Sequence, residues 1–403
     1  MKAPVYFYGL SSLRFLAAFF VIIHHIEQFK GLFGLTDGST DQHFFLSRLV
    51  MSGTDAVILF FVLSGFLITY LLLVEIEATQ TISIRDFYIR RSLRIWPLYY
   101  VLVVIGFLLV PLVIKLTGFE GYYPSISNGF ARKLFFYVAF LPNIAGLFSI
   151  FPVGIAHLWT IGIEEYFYLL WPQLVKRTRR NILSAIVGVL IARFIIGVII
   201  YIRFTLQGVS PLAPSGLDFV ILALGRFPFE GMALGALMAY ILYHQYQRIL
   251  HVLYHPVTVG LTILFMTLNM LTPITVDLAG YNPIFARFFI PLVYAIFILN
   301  IATSPRLPMK LENNTMRYAG KLSYGMYMYH PVLIYFTLIG FDMAGWNQDG
   351  FMYNVVLYSL VTVLTLLISH LSYQYIEMPF LTLKKRFTIV QSGQPPTEVI
   401  DNV

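Results

Sequence analysis

Ten long apolar runs dominate the chain, and short polar stretches separate them. An α-helix rises about 1.5 Å per residue, so about 20 apolar residues cross the hydrocarbon of a bilayer. The pattern therefore predicts an all-α, polytopic membrane helix bundle with about ten transmembrane helices. The runs of spanning length are 8–29, 54–75, 95–115, 158–175, 182–204, 219–243, 254–272, 284–303, 322–340 and 352–377.

An eleventh apolar run, 134–150, is shorter and contains Pro142 and Asn143. Basic clusters favour the cytoplasmic side of a membrane. With ten spans and a cytoplasmic N-terminus all four clusters lie inside, whereas a crossing by 134–150 would invert the later ones. We therefore expect both termini in the cytoplasm and a re-entrant or surface-lying segment near 134–150. The clusters are Arg85/Arg90/Arg91/Arg94, Lys176/Arg177/Arg179/Arg180, Arg306/Lys310/Arg317/Lys321 and Lys384/Lys385/Arg386.

The composition agrees with a membrane protein. Hydrophobic residues make up 58% of the chain and charged residues 11%, against about 25% charged in soluble domains. The net charge of +8 comes from clusters beside apolar runs, which indicates topology rather than nucleic-acid binding. Because the chain has no cysteine, disulfides, iron–sulfur clusters and thiolate zinc sites are excluded. We expect one membrane domain over 1–386 and a disordered cytoplasmic tail over 387–403.

The first apolar run contains Arg14, His24 and His25. Only Lys2 precedes the run as a positive charge, and no small-residue cleavage pattern follows, so we expect a span rather than a cleaved signal peptide. An arginine at the centre of a membrane helix costs at least about 2.5 kcal/mol, which favours a functional position facing the bundle. Arg14 and His25 are almost whole turns apart and share one face at about 16 Å, whereas His24 points about 100° away.

Three arginines, Arg90, Arg91 and Arg94, precede the third apolar run. Guanidinium groups bind phosphate oxygens in pairs, so the cluster is a candidate phosphate site. The alternative is anchoring by the positive-inside rule together with contacts to lipid headgroups.

Two adjacent carboxylates, Glu164 and Glu165, lie within the fourth run. Neighbouring helix positions diverge by about 100°, so only one of them can face a given cavity. The alternative to a functional role is a structural ion pair with Arg14, Arg193 or Arg226.

Two further ionisable positions stand in the later runs. Arg226 and Glu230 are spaced i, i+4, which permits an intrahelical ion pair, and the glycines around them favour close helix packing. His330 precedes Pro331 in the ninth run, where a proline frees a backbone carbonyl. A functional histidine and a structural one both fit this position. We find no metal-binding histidine spacing, phosphate-binding glycine loop or GxSxG motif.

At these residues the chain resembles the membrane acyltransferase-3 family of multi-pass carbohydrate O-acyltransferases. The chain departs from the family pattern at Ala56, where glycine is usual, and at Ile58, where a polar residue is frequent. We expect these two departures to alter the outer entrance to the cavity. The matching motifs, in family order, are LRFLAA at 13–18 with His25, LFFVLSGFLI at 59–68, RRSLRIWPLY at 90–99, LWT at 158–160 with EEYFYLLWP at 164–172, and SY at 323–324 with HP at 330–331.

The resemblance implies a cytoplasmic acyl-CoA donor, most often acetyl-CoA, and an extracytoplasmic sugar hydroxyl as acceptor. The candidate acceptors are lipopolysaccharide O-antigen, exopolysaccharide, a secreted small glycoside and a nodulation-type oligosaccharide, and the expected location is the inner membrane of a bacterial cell. Arg90, Arg91 and Arg94 lie on the side where CoA phosphates arrive. Some relatives pass the acyl group to a fused extracytoplasmic domain, so we expect this chain either to complete the transfer itself or to depend on a separate partner.

The expected mechanism uses one polar tunnel from the basic inner side to His25. His25 is the candidate general base, or alternatively a nucleophile that carries the acyl group. Glu164 would orient the imidazole or the acceptor, Arg14 would stabilise the oxyanion or position the donor, and His330 would be a second proton carrier. The rival interpretation is a transporter of a small solute or an acylated sugar, because intramembrane charges also suit transport pathways.

Overall fold

The computed structural model describes residues 5–35, 44–118, 129–148, 151–211, 216–271, 283–303, 313–346 and 350–390, and for 44–52 and 270–271 only the backbone. These residues form helices joined by turns. Most of the tail expected over 387–403 lies outside them, as do Arg306 and Lys310.

Sixteen α-helices follow one another in the described residues. They are α1 Leu10–Leu32, α2 Phe44–Thr79, α3 Ile84–Val104, α4 Val110–Thr117, α5 Phe130–Val138, α6 Pro142–Ala145, α7 Trp159–Arg177, α8 Ile182–Ile200, α9 Gly216–Gly225, α10 Glu230–Tyr243, α11 Gln247–Leu253, α12 Pro256–Leu271, α13 Pro283–Thr303, α14 Asn314–Met343, α15 Phe351–Ser372 and α16 Met378–Lys384. Short π-helical turns join α3 to α4 and α15 to α16.

The all-α membrane architecture expected from the sequence is confirmed. Large apolar side chains cover the exterior as well as the interior, and Leu206 and Phe351 are 65% and 85% exposed. Two bent helix pairs, α9 with α10 and α11 with α12, raise the number of candidate spans in the described residues from six to eight. The six single spans are Leu10–Leu32, Gly53–Thr79, Ile84–Thr117, Ile182–Leu206, Pro283–Thr303 and Phe351–Phe387.

The run at 134–150 does not form one long helix in its described part. α5 has nine residues and α6 has four, so neither is long enough to cross a bilayer. The chain turns between them at Phe140, whose φ is +58°. This turn packs on α7, because a Cβ at Gly162 would lie 2.6 Å from the Phe140 carbonyl oxygen. Whether the segment is re-entrant or surface-lying stays a prediction.

Glycines bring the central helices into backbone contact. A Cβ at Gly65 of α2 would lie 1.9 Å from the carbonyl oxygen of Met232 on α10, and a Cβ at Gly235 would lie 2.0 Å from the Val62 carbonyl oxygen. The packing role expected for the glycines near Glu230 is therefore confirmed at Gly235. α1 packs on α2 and α14, and α14 packs on α15, which places α1 inside the bundle.

Arg226 and Glu230 do not form the intrahelical ion pair that their spacing permits. The helix ends at Gly225 and a new one begins at Glu230, so the i, i+4 geometry of a continuous helix is lost. Arg226 is exposed, whereas Glu230 is buried and pairs with Arg193 and Arg287.

Candidate active site

A polar cavity lies between α1, α2, α3, α7 and α14. It contains about 850 Å³ of space between atoms, part of it open to solvent. Its charged lining residues are Arg14, Arg91, Arg94 and Glu164. Three positive charges against one negative charge favour an anionic ligand.

The structure separates the three arginines of the candidate phosphate cluster. Arg91 and Arg94 line the cavity together with Arg14. Arg90 does not: its Nη2 binds the Glu75 carboxylate at 3.1 Å, and its Nη1 donates to the Phe387 carbonyl at 2.8 Å. The cation in the cavity beside Arg91 and Arg94 is therefore Arg14, which comes from a different helix.

Arg91 is held by aromatic rings rather than by a carboxylate. Its guanidinium carbon lies 5.4 Å from the ring centres of both Phe87 and Tyr168. These cation–π contacts hold the guanidinium while leaving its N–H groups available. The buried Nε of Arg91 has no hydrogen-bond partner in the described part of the chain. The side chain therefore retains a free donor for an incoming anion.

Glu164 and Glu165 face different surroundings, as their adjacent helix positions predict. The Glu164 carboxylate accepts from Ser64 Oγ at 2.9 Å and from the Tyr168 hydroxyl at 3.0 Å inside the cavity. The Glu165 carboxylate accepts from Trp96 Nε1 at 2.9 Å. Of the alternative ion-pair partners, Arg193 binds Glu230 at 2.8 Å instead, whereas Arg14 lines the same cavity as Glu164.

Two histidines from distant parts of the sequence pair next to the cavity. Nδ1 of His25 lies 2.9 Å from Nε2 of His330 and 3.1 Å from the Val21 carbonyl oxygen. Nδ1 of His330 lies 3.0 Å from the Met326 carbonyl oxygen, so this nitrogen carries the proton. In the neutral imidazole, Nε2 of His330 is then an acceptor, and it receives the proton of His25 Nδ1.

This hydrogen-bond pattern leaves Nε2 of His25 with a free lone pair. Nδ1 of His25 faces two acceptors, so it holds the proton of the neutral ring. Nε2 has no hydrogen-bond partner among the residues that the structure describes. A fixed tautomer with one exposed basic nitrogen is what a general base or an imidazole nucleophile requires.

A third buried histidine, His157, completes the cluster. Its ring centre lies 5.4 Å from that of His330 and 5.3 Å from that of Tyr327. Neither of its nitrogens has a hydrogen-bond partner of normal geometry among the described residues. Sequence reasoning assigned it no role. One sequence signal could have drawn attention to His157. It lies seven residues before Glu164, or about two helical turns, which places the two residues on the same face near the start of α7.

In the described part of the chain the arginine-lined cavity does not reach His25, so the open tunnel expected from the sequence is not seen there. The cavity lining includes Tyr327 and Thr160 but none of the three histidines. The Tyr327 hydroxyl and Thr160 Oγ1 are 2.7 Å apart, and the Tyr327 ring packs on His157 and His330. This pair closes the passage. Glu164 lies one turn beyond Thr160 on α7 and lines the cavity together with the arginines. Its hydrogen bonds go to Ser64 and Tyr168 and not to His25.

No cluster of three or more histidine, aspartate or glutamate side chains in the described part of the chain is arranged to hold a metal ion. The side chains in and beside the cavity offer imidazoles, guanidiniums, hydroxyls and a carboxylate.

The chain belongs to the acyltransferase-3 family, because the model of its acyltransferase domain, Acyl_transf_3, matches residues 7–373. The chain is 26% identical over 396 residues to the O-acetyltransferase OatA of Staphylococcus aureus strain NCTC 8325. It is 26% identical over 388 residues to the peptidoglycan O-acetyltransferase OatA of Listeria monocytogenes.

These alignments cover 94% and 92% of this chain, but the chain spans only 58% and 55% of the two relatives. No solved structure matches the chain significantly.

Proposed function

We propose that this chain is a membrane O-acyltransferase that moves an acyl group, most often acetyl, from acyl-CoA to a carbohydrate hydroxyl. The observation that carries the proposal is the bond between His25 and His330, which leaves His25 Nε2 as a free base next to a cavity with three arginines. The names of the relatives, both O-acetyltransferases, support the same type of reaction.

The proposed chemistry takes place at His25 Nε2. This nitrogen removes the proton of the acceptor hydroxyl while the oxygen attacks the thioester carbonyl carbon. A C–O bond forms, the C–S bond breaks, and the proton passes from His25 to the leaving thiolate. His330 Nε2 accepts the bond from His25 Nδ1 and so stabilises the imidazolium. In the alternative, His25 Nε2 attacks the thioester carbon first, so that an N–C bond forms, the C–S bond breaks and the thiolate leaves. The acceptor oxygen then attacks the acyl carbon, the N–C bond breaks, and the hydroxyl proton passes to the thiolate.

The donor is proposed to enter from the cytoplasmic side and to place its phosphates at Arg91, Arg94 and Arg14. Three guanidiniums suit a ligand with several phosphate groups. Glu164 is held by Ser64 and Tyr168, and its negative charge offsets part of the repulsion among the three arginines. Arg90 is omitted from this group because Glu75 already binds it.

The acyl group must pass the Tyr327–Thr160 pair to reach His25. The two hydroxyls share one hydrogen bond, and the exchange of that bond for bonds to substrate would let the phenol turn aside. His330 lies three residues after Tyr327 on α14, so the same helix carries the gate and the partner of the base.

The acceptor is proposed to be a glycan on the extracytoplasmic side of a bacterial cell membrane, in which the enzyme lies. O-antigen and exopolysaccharide are the acceptors that the family resemblance suggests. The name of the relative from Listeria specifies peptidoglycan, which is a further candidate acceptor. Either this chain completes the transfer or a separate partner does.

Ten spans with both termini in the cytoplasm are proposed for the membrane topology. The eight candidates counted by length and composition become ten when α7 and α14 are added. These helices have 19 and 30 residues, or about 28 and 45 Å, which is enough to approach or exceed the hydrocarbon thickness. Their low apolarity comes from Glu164, Glu165 and the other polar residues of the site.

The test is transfer of labelled acetyl from acetyl-CoA to lipid-linked glycan by the purified protein. We expect His25→Ala to lower the rate by at least about 100-fold, because the base is removed. His24→Ala is the matched control on the neighbouring position and should keep most of the activity. Near-normal transfer by folded His25→Ala would disprove the role of His25. Movement of label across vesicles without release of CoA would instead identify a transporter.

A further inference from the structure

A second cluster of buried charges lies away from the cavity. Glu230, the first residue of α10, binds Arg193 of α8 at 2.8 Å and Arg287 of α13 at 3.5 Å. The side chains of Arg193 and Glu230 are almost completely buried, and that of Arg287 is 32% exposed. None of these three residues lines the cavity, so the cluster takes no part in the proposed transfer.

The cluster has a net positive charge. Two guanidiniums face one carboxylate, and no other carboxylate of the described residues forms an ion pair with either arginine. Arg193 Nη1 donates to the Leu224 carbonyl at 2.8 Å. Arg193 Nη2 and Arg287 Nη1 are buried and have no hydrogen-bond partner in the described part of the chain. A net charge with unpaired donors in an apolar surrounding is unfavourable unless an anion joins it.

The cluster opens toward the lipid-facing exterior. The apolar neighbours of Arg193 on α8 point outward, and Ile191, Phe194 and Ile195 are each about half exposed. Phe285, two residues before Arg287, is also about half exposed. Arg287 is the fifth residue of α13, or about 6 Å along the axis from its first residue. A long arginine side chain at that depth reaches the headgroup region.

We propose that Arg193 and Arg287 bind the phosphate of an anionic membrane lipid. The two unpaired guanidinium nitrogens supply the donors for phosphate oxygens, and the opening beside Arg287 admits a headgroup from the bilayer. Glu230 holds the two guanidiniums in place and competes with the phosphate for them. The site would couple the lipid to the packing of α8, α10 and α13, because each of these helices contributes one charged group.

The sign of the effect at Glu230 separates a phosphate site from a purely structural ion triad. Glu230→Gln removes the competing charge, so a phosphate site predicts tighter lipid binding. Arg287→Gln removes one donor, and we expect it to weaken binding by about tenfold, as for the loss of one charge-assisted hydrogen bond. Arg203→Gln is the matched control. Arg203 follows α8, the helix that carries Arg193, and it has its own partner, Asp218, at 2.7 Å.

The measurement is the affinity of the full chain in detergent for phosphatidylglycerol, phosphatidylcholine and inorganic phosphate, by native mass spectrometry and thermal unfolding. We expect binding of phosphatidylglycerol that Arg287→Gln weakens, Glu230→Gln strengthens and Arg203→Gln leaves unchanged. Equal binding by wild type and Arg287→Gln would overturn the proposal, as would weaker binding by folded Glu230→Gln. Binding of inorganic phosphate alone would assign the site to a free anion and overturn the lipid assignment. Counting bound lipids keeps the result independent of lost stability.

Discussion

Single residues in this protein take their roles from their hydrogen-bond partners more than from their own chemistry. His24 and His25 are identical in type and adjacent in sequence. Only His25 is bound to His330, and this bond fixes its proton on Nδ1. Arg90 and Arg91 are also adjacent, but Glu75 binds the first and two aromatic rings hold the second. Proximity in sequence is therefore a poor guide to function at this scale.

The first prediction concerns the arginines of α3. Arg91→Gln and Arg94→Gln should each raise the dissociation constant for acetyl-CoA by about tenfold, because each removes a charged donor from the cavity. Arg90→Gln should leave the dissociation constant nearly unchanged and instead destabilise the protein by about 3 kcal/mol, because it leaves buried Glu75 without its cationic partner. Ligand titration and thermal unfolding of the same samples measure both. A large loss of acetyl-CoA affinity in folded Arg90→Gln would contradict this division.

At the scale of helices, packing depends on small residues at crossing points. α2 and α10 touch at Gly65 and Gly235, where no side chain fits between the backbones. The break between α9 and α10 serves a different purpose. It turns Glu230 toward Arg193 and away from Arg226, so a spacing typical of a helical ion pair gives no pair. Local spacing predicts contacts only while the helix continues.

The second prediction tests this helix contact. Gly65→Ala should destabilise the protein by about 1–3 kcal/mol, because the new methyl group overlaps the Met232 carbonyl and forces the helices apart. Gly188→Ala on α8 is the control, since nothing lies within 4 Å of its Cβ position. There the change should be neutral or slightly stabilising, through higher helix propensity. Equal unfolding temperatures for the two variants in detergent would show that α2 and α10 do not cross so closely.

At the scale of the whole molecule, the bundle separates a basic side from a histidine cluster. The cavity holds Arg14, Arg91 and Arg94, and Tyr327 closes it toward His25. In the proposed reaction, this separation would keep the thioester away from His25 until the tyrosine moves and so limit wasteful hydrolysis. In the proposed topology, the arginine-lined cavity is reached from the cytoplasm, and the histidine cluster is reached from the extracytoplasmic side.

The third prediction tests that topology by cysteine labelling, which is clean because the chain has no cysteine of its own. Gln207 and Gln247 are both exposed and lie at opposite ends of the bent pair α9 and α10. In whole cells a membrane-impermeant maleimide should label Gln207→Cys and not Gln247→Cys. Permeabilised cells, where both should react, provide the control. Equal labelling of both in intact cells would mean that the bent pair does not span.

The sequence by itself determined the membrane class, the all-helical architecture and the family. These follow from apolar run length and from motifs, which are properties of short stretches. Helical geometry also predicted the divergence of Glu164 and Glu165. The sequence further pointed to Arg14, His25 and His330 as candidates, since ionisable groups in hydrocarbon are costly enough to require a reason. Their roles stay predictions for the experiments above.

Only the tertiary structure decided which of these groups meet. His25 and His330 are 305 residues apart, and their contact depends on α1 lying beside α14 with both helices correctly rotated. The same holds for His157, for the bond of Arg90 to Glu75, and for the triad of Arg193, Glu230 and Arg287. Local patterns fix which side of a helix a residue occupies, but the partner on that side depends on the packing of the whole bundle.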